Sequence, residues 1–185
     1  LAMVARAFTE LGVEKIRLTG GEPLVRTGLP ELIRMLKSID AIDDISLTTN
    51  GMLLERYATE LKSAGLRRVN ISLDTLDPDR FKQITRGGNL GDALKGIEAA
   101  KAAGLNPVKI NVVVISEIND DELPRFAAKT MNEGWNVRFI ERMPFSGEDA
   151  SASQFIPVSE IREHLKLLGE LEQCSGRCFC LDFWV

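Results

Sequence analysis

The stretch KIRLTGGEPL, residues 15–24, begins as an alternating strand and ends in a glycine-rich turn. Successive side chains of a strand point to opposite faces, so Lys15, Arg17 and Thr19 share one face. Ile16 and Leu18 point to the other face. A strand with one cationic face that runs into two glycines, an acid and a proline predicts the edge of a ligand site.

The same alternation recurs in later segments of the chain. Four further strands are predicted near residues 45–49, 69–73, 108–115 and 137–140. Helical periodicity falls between and around them, near residues 2–12, 28–38, 55–64, 90–103, 120–133 and 157–168. Strands that alternate with helices are typical of parallel sheets built from βα units. The sequence therefore predicts an α/β fold.

Each predicted strand has one polar face, which is unusual for a parallel sheet. Parallel strands covered by helices on both sides are apolar throughout, whereas here Lys109 and Asn111 alternate with apolar residues. One face is therefore expected to meet helices and the other a polar interior. A partly closed barrel satisfies this pattern, with its site at the carboxyl ends of the strands.

Composition limits the ligand classes. The 23 basic and 27 acidic residues give a net charge of −4 at pH 7, which argues against a chain-wide surface for nucleic acid or anionic lipid. The cations Lys15, Arg17, Lys109 and Arg138 would converge on one interior, and such a cluster favours a multivalent anion such as a nucleoside triphosphate. No apolar run spans a membrane and no signal peptide is recognised, so a soluble cytoplasmic protein is predicted.

Several polar residues have structural interpretations. Asn119 followed by Glu122 has the spacing of a capping box, and Asn89 is expected to cap a helix. Asp120, Asp121 and Glu122 lie in a predicted first helical turn, where the helix dipole favours negative charge, so they are not interpreted as a metal site. His164 is interpreted as a helix-surface residue.

The three cysteines lie together near the end of the chain. Cys174, Cys178 and Cys180 form C-x3-C-x-C, an odd number with no disulfide framework, and they are excluded from the predicted sites. The sequence after Gly169 shows neither the helical nor the strand period of hydrophobic residues. The predicted organisation is a core at residues 1–169 followed by an irregular tail at residues 170–185.

Five motifs occur in a characteristic order. They are TGGEPL at 19–24, LTTNG at 47–51, VNISLD at 69–74, KINVVV at 109–114 and RFIERM at 138–143. Together they resemble the radical S-adenosylmethionine superfamily and, more narrowly, its GTP 3′,8-cyclase family, which starts molybdenum cofactor biosynthesis. The resemblance covers residues 2–165 and implies a partial (β/α) TIM-like barrel that is incomplete at both ends.

The resemblance also implies site residues. Those expected to contact S-adenosylmethionine are Gly20, Gly21, Glu22, Ser72 and Met143, and those expected to contact GTP are Lys15, Arg17, Thr48, Lys109 and Arg138. The strand faces alone place Arg17, Thr48 and Lys109 among the interior residues. The prediction that Lys15 and Arg138 contact GTP rests on strand geometry and family pattern together. No catalytic residue and no metal ligand is predicted in this chain.

The resemblance implies a reaction as well. In the family, a reduced [4Fe-4S] cluster cleaves S-adenosylmethionine to a 5′-deoxyadenosyl radical, which takes the 3′ hydrogen of GTP and leads to (8S)-3′,8-cyclo-7,8-dihydroguanosine 5′-triphosphate. An electron donor and cyclic pyranopterin monophosphate synthase are the implied partners, and a homodimer is compatible with the resemblance. Neither cysteine motif of the family occurs in this sequence. The chain by itself is therefore expected to be inactive.

Two alternatives remain open. The first is another radical S-adenosylmethionine enzyme whose interior cations bind a different anionic substrate. The second is a non-catalytic nucleotide- or phosphate-binding barrel without clusters, which would bind nucleotide through a stable fold and never incorporate iron.

Overall fold

The computed structural model describes residues 1–143 and 154–169 and shows alternating helices and parallel strands. The strands are β1 (Lys15–Leu18), β2 (Asp44–Thr49), β3 (Arg68–Ser72), β4 (Val108–Val114) and β5 (Asn136–Glu141). The helices are α1 (Ala2–Thr9), α2 (Leu29–Lys37), α3 (Leu54–Ala64), α4 (Pro78–Ile84), α5 (Leu90–Ala102), α6 (Leu123–Glu133) and α7 (Val158–Leu165). Short 3-10 turns occupy Pro23–Val25, Asp120–Glu122 and Lys166–Leu168.

All five predicted strands are present within a few residues of their expected bounds, whereas helix α4 was not predicted. Asp77 caps this helix, because its Oδ1 accepts a hydrogen bond of 2.8 Å from the Arg80 backbone N–H. Pro78 then supplies the first helical residue, where its missing N–H costs nothing. An aspartate followed by a proline is a helix-start signal, but seven residues are too few for a clear helical period.

The chain divides into two compact units. The first comprises Leu1–Ser72 and Gly87–Val108, and the second comprises Leu73–Arg86 and the chain from Lys109 onward. In the first unit, β1, β2 and β3 pair in parallel and in chain order, with Ile16 beside Ile45 and Leu47 beside Val69. The apolar face of β2 and β3 is fully buried, as the alternation predicted.

Helices α3 and α5 pack against each other in the first unit. Leu61 and Ile97 are completely buried there, and each such side chain contributes roughly 1.5–3 kcal/mol by leaving water. Gly96 permits the close approach of α5, because a Cβ at this position would lie 2.1 Å from the backbone oxygen of Gly51. The Asn89 side chain caps α5 as predicted, accepting a hydrogen bond of 2.7 Å from the Gly91 N–H.

In the second unit, β4 and β5 pair in parallel along six residue pairs. Val114, Leu123, Ala127, Ile156, Ile161 and Leu165 form its buried cluster. Phe126 and Phe139 meet edge to face at 6.4 Å beside it, the arrangement that aromatic quadrupoles favour. Alternate residues of β4 are buried, as predicted, while Lys109, Asn111 and Val113 are only partly buried.

The predicted irregular tail and the three cysteines lie outside the described residues. In the part of the chain that the structure describes, no helix is long and apolar enough to cross a membrane.

Candidate functional site

The Gly-Gly-Glu-Pro turn after β1 is fixed by its glutamate. Oε1 of Glu22 accepts hydrogen bonds from the Leu24 N–H at 3.0 Å and from the Thr49 hydroxyl at 2.7 Å. Oε2 accepts from the Asn50 N–H at 2.8 Å. The carboxylate thereby joins the turn to the carboxyl end of β2. These three hydrogen bonds already engage both of its oxygens, which are also the predicted contact with S-adenosylmethionine.

The two glycines of this turn are not required by the local fold. Neither Gly20 nor Gly21 has a positive φ angle, and a Cβ built on either residue meets no heavy atom within 4 Å. Glycine is usually needed for left-handed backbone or for close packing, and neither condition holds here. The exposed backbone of the turn therefore leaves room for a ligand to approach.

The polar face of the first unit carries four of the predicted site residues. By strand register, Arg17 lies beside Ser46, and Thr48 lies beside Asn70. Residues at paired positions of neighbouring strands share a face, so Lys15, Arg17, Thr48 and Ser72 share one face of the three strands. Lys15, Arg17 and Ser72 are exposed, whereas Thr48 is partly buried.

The amino end of this face holds a buried acid that is already paired. Asp44 is only 3% exposed and forms an ion pair with Arg68 of β3. Lys15 lies beside Asp44 in the strand register, yet the acid is held by Arg68. Among the described residues, neither Lys15 nor Arg17 makes an ion pair. Both cations are therefore available to an anion from solution.

The second unit carries Lys109, Arg138 and Met143. Lys109 lies beside Asn136, and Asn111 lies beside Arg138, so these four residues share the polar face of β4 and β5. Lys109 and Arg138 are both partly buried. Met143 follows β5 and is 78% exposed.

Asp74 and Asn119 join the carboxyl end of β4 to the segment that begins at Leu73. Oδ1 of Asp74 accepts a hydrogen bond of 2.8 Å from the Val113 N–H. The Asn119 amide donates to the backbone oxygens of Asp74 at 2.7 Å and Val113 at 2.9 Å, and its Oδ1 accepts from the Ile115 N–H at 2.8 Å. Burial raises the pKa of Asp74, and the bond from Val113 opposes that rise in part.

The predicted capping box at Asn119 and Glu122 is wrong. Asn119 makes no side-chain cap bond, because its amide is used by the contacts to β4. Glu122 is 1% exposed. It accepts hydrogen bonds from the Thr75 hydroxyl at 2.5 Å, the Leu76 N–H at 2.7 Å and the Arg80 guanidinium at 2.8 Å. The spacing was correct, but contacts with residues distant in the sequence replaced the local cap.

Asp121, next to this buried glutamate, has a different environment. It is exposed and pairs with Arg80 at 2.8 Å. The hydrogen bond from Arg80 lowers the pKa of Asp121. No group of three or more metal-ligating side chains occurs within residues 1–143 and 154–169.

Sequence reasoning missed the roles of Asp74, Asn111 and Glu122. Asp74 ends the motif VNISLD, and Asn111 lies on the polar face of β4, so motif and periodicity placed both without indicating their contacts. For Glu122 no sequence signal separates a buried acid from an exposed one in the first turn of a helix.

A separate cavity of about 270 Å³ lies in the first unit beside α2 and α3. None of the predicted site residues lines it. Arg34, one of the two arginines that line it, is already paired with Glu31 at 3.1 Å and with Glu60 at 3.6 Å. The cavity and the polar strand face are therefore distinct features.

Comparison with known proteins gives a family match. Residues 1–129 match the model of the radical SAM superfamily. The chain is similar to the GTP 3′,8-cyclase of Pelotomaculum thermopropionicum, at 53% identity over 161 residues that cover 86% of this chain and 50% of that protein. It is also similar to the GTP 3′,8-cyclase of Alkaliphilus oremlandii, at 50% identity over 171 residues, covering 91% of this chain and 53% of that protein. The chain thus spans about half the length of the curated relatives it matches.

Solved structures agree on the fold. A histidine-tagged anSMEcpe with bound AdoMet aligns with 90% of this chain and 46% of that chain, with a TM-score of 0.70 at 19% identity. Coproporphyrinogen III oxidase from Escherichia coli, a radical SAM enzyme, aligns with 90% of this chain and 43% of that chain, with a TM-score of 0.56 at 13% identity. The predicted fold class, a partial barrel of parallel strands and helices, is confirmed.

Proposed function

Since this chain belongs to the radical SAM superfamily, we propose that it is part of a GTP 3′,8-cyclase of molybdenum cofactor biosynthesis. The observation that carries the proposal is the 46–55% identity to relatives with that name, over most of this chain. The polar strand face of the first unit agrees with it, because exposed cations such as Lys15 and Arg17 suit a triphosphate better than a neutral substrate.

We assign S-adenosylmethionine binding to Gly20, Gly21, Glu22, Ser72 and Met143. The turn fits such a ligand, since open space lies over both glycines and their backbone can approach it. The carboxylate of Glu22 holds the turn against β2, so the glycine backbone is positioned before the ligand arrives. Ser72 is exposed at the carboxyl end of β3. In this superfamily the bound cofactor supplies the 5′-deoxyadenosyl group.

The [4Fe-4S] cluster that the superfamily uses is not matched by the residues described. Iron–sulfur clusters are held by cysteine thiolates, and all three cysteines of the chain lie outside residues 1–143 and 154–169. The described residues also contain no alternative ligand group. We therefore assign no step of the reaction through the cluster to them.

We assign GTP binding to Lys15, Arg17 and Thr48 on the first unit and to Lys109 and Arg138 on the second. Guanidinium groups bind phosphate oxygens through two parallel hydrogen bonds, and ammonium groups bind them as point charges. Thr48 offers a hydroxyl on the same strand face as Arg17. These residues would bind and orient GTP for conversion to (8S)-3′,8-cyclo-7,8-dihydroguanosine 5′-triphosphate.

The same proposal includes the wider setting. The complete protein would be a cytoplasmic lyase that receives electrons from a donor and passes its product to cyclic pyranopterin monophosphate synthase. A homodimer is compatible with this role. The chain by itself would bind ligand without completing the reaction.

The test is nucleotide binding by this chain, measured by isothermal titration calorimetry with GTP and ATP. Arg17→Ala and Lys109→Ala are each expected to weaken GTP binding roughly 10- to 100-fold, because each removes a charge-assisted hydrogen bond. Lys95→Ala, which removes an exposed cation of α5, is the matched control and should bind GTP like the unaltered chain.

Three results would contradict the proposal. Equal affinity for GTP and ATP would favour another radical SAM enzyme with a different anionic substrate. Absence of nucleotide binding by a folded chain would remove the assigned GTP site altogether. Tight nucleotide binding by a complete protein that never incorporates iron would instead support the non-catalytic alternative.

A further inference from the structure

Asn111 of β4 has a polar atom that no described residue satisfies. Its side-chain oxygen, Oδ1, is buried and has no hydrogen-bond partner. Buried polar atoms in folded proteins almost always have a partner, because leaving one unpaired forfeits the hydrogen bonds it made with water. An orphaned acceptor on a binding face therefore indicates a role outside the folded chain itself.

The other asparagines near the strands show what a structural role looks like. Asn119 uses its amide in three hydrogen bonds to backbone groups. The Asn70 amide donates to the Leu47 backbone oxygen at 3.4 Å. At Asn111 the backbone oxygen accepts from the Leu73 N–H at 3.0 Å, but Oδ1 remains unpaired. The contrast separates Asn111 from residues that stabilise the fold.

The position of Asn111 relates the orphaned oxygen to the proposed substrate. It lies two residues after Lys109 on the same face of β4, and its register partner on β5 is Arg138. A ligand bound by these cations would place its anionic groups against them. A neutral part of the same ligand would then lie next to Oδ1 of Asn111. Oδ1 can only accept a hydrogen bond, so that part must carry an O–H or N–H group.

We propose that Asn111 is a specificity-determining residue whose Oδ1 accepts a hydrogen bond from an O–H or N–H donor of the bound nucleotide. The inference rests on the proposed function and adds a residue to its GTP site. The donor has two sources in GTP, the ribose hydroxyls and the N–H groups of guanine. A buried acceptor discriminates strongly against ligands that lack the matching donor, because the acceptor then stays unpaired.

The experiment measures the affinity of this chain for GTP and for analogues that lack one donor each. The analogues are 2′-deoxyGTP and 3′-deoxyGTP for the ribose, and inosine triphosphate and 1-methyl-GTP for the base. One analogue is expected to bind the unaltered chain roughly 5- to 100-fold more weakly than GTP. Asn111→Leu, of similar size without a polar atom, should lower GTP affinity by a similar factor and bind GTP and that analogue equally.

The thermal unfolding midpoint distinguishes a binding role of Asn111 from a structural one, since loss of a structural residue would lower it. Because Asn111→Leu removes an unpaired buried acceptor, its thermal unfolding midpoint should be unchanged or higher. Asn132→Leu, on the exposed surface of α6, is the control and should alter neither affinity nor analogue preference. Asn111→Asp keeps an acceptor, so it should preserve the analogue ratio even if its added charge weakens binding of every nucleotide.

The outcomes separate this inference from the proposed function. If the unaltered chain binds no nucleotide, both fail. If it binds GTP but Asn111→Leu keeps the analogue ratio, or loses affinity only in proportion to a lowered unfolding midpoint, the role of Asn111 is refuted and the proposed function stands.

Discussion

Gly21 illustrates a glycine that neither the backbone conformation nor the packing of the turn requires. Its backbone is not left-handed, and a Cβ there would meet nothing. The exposed turn that contains it is nevertheless held in place, because Glu22 bonds it to the end of β2. Glycine at this place therefore costs conformational entropy that neither a left-handed backbone nor close packing offsets.

Gly21→Ala is the prediction at this position. We expect unfolding stability to stay the same or to rise by up to about 1 kcal/mol, since alanine restricts the unfolded chain without straining the native turn. S-adenosylmethionine affinity should fall at least about tenfold, because the methyl group occupies the approach to the backbone. Calorimetric titration and urea unfolding of the same variant measure the two effects.

The matched control is Gly96→Ala. Its Cβ would collide with the Gly51 backbone oxygen, so stability should fall by about 1–3 kcal/mol. S-adenosylmethionine affinity of the folded fraction should not change. If Gly21→Ala instead lost stability and kept its affinity, the turn would be structural.

Asp74 provides a prediction about pH. Burial raises its pKa, so between the ordinary pKa and the raised one the folded chain binds more protons than the unfolded chain does. The unfolding free energy therefore falls as pH rises through that window. In Asp74→Asn the side chain is neutral at every pH and can still accept the bond from Val113, so this contribution disappears.

The measurement is urea unfolding of both proteins from about pH 4 to about pH 7, which covers the window above the ordinary pKa of an aspartate. The stability of Asp74→Asn relative to the unaltered chain should increase across this range. Parallel pH profiles for the two proteins would show that the Asp74 carboxyl does not titrate differently in the folded state.

At the scale of elements, Glu122 joins the segment between β3 and α4 to the beginning of α6. Both of its oxygens are occupied, and Arg80 and Arg125 balance its charge at 2.8 and 3.4 Å. A buried carboxylate of this kind tolerates few changes, since removal of one charged partner leaves the others uncompensated. We infer that it fixes the path of the chain from Thr75 to Arg80.

Glu122→Gln is therefore expected to destabilise the chain by about 3 kcal/mol. The amide keeps the shape, but its NH₂ must face either the Leu76 N–H or the donors at the other oxygen. Chemical denaturation gives the value. Asp121→Asn, one residue earlier and exposed, should cost less than about 1 kcal/mol, as expected for a surface ion pair. Equal losses in the two variants would contradict the buried role of Glu122.

At the scale of the whole molecule, the polar strand faces carry positive side chains although the net charge of the chain is negative. The chain carries −4 overall, yet its polar strand faces present lysine and arginine. A chain with a net negative charge does not attract an anionic nucleotide over long distances, so we expect binding to come from local contacts. Local contacts between charged groups remain sensitive to salt when they are partly exposed.

GTP affinity should accordingly fall about tenfold or more when the salt concentration rises from about 50 mM to about 500 mM. Arg17→Ala should show a shallower dependence, since one cation no longer contributes. S-adenosylmethionine affinity should change less over the same range, because its assigned contacts include no lysine or arginine. Salt-independent GTP binding would show that the cations are not the phosphate contacts.

The sequence by itself determined the order of the elements and the two faces of each strand. Alternation with a period of two is a local property, and it is sufficient to place Arg17, Thr48 and Lys109 on polar faces. The motif order also determined the superfamily. Helix α4 was not predicted, because its only sequence signals were a capping residue and a proline.

Tertiary structure alone decided which polar groups are hydrogen-bonded within the fold and which stay unpaired. Glu122 and Thr75 are 47 residues apart, and no local pattern reports their hydrogen bond. Equally, nothing in the sequence distinguishes the satisfied Asn119 from the orphaned oxygen of Asn111. The physical reason is that burial and hydrogen bonding depend on which distant segments meet, whereas periodicity depends only on neighbours along the chain.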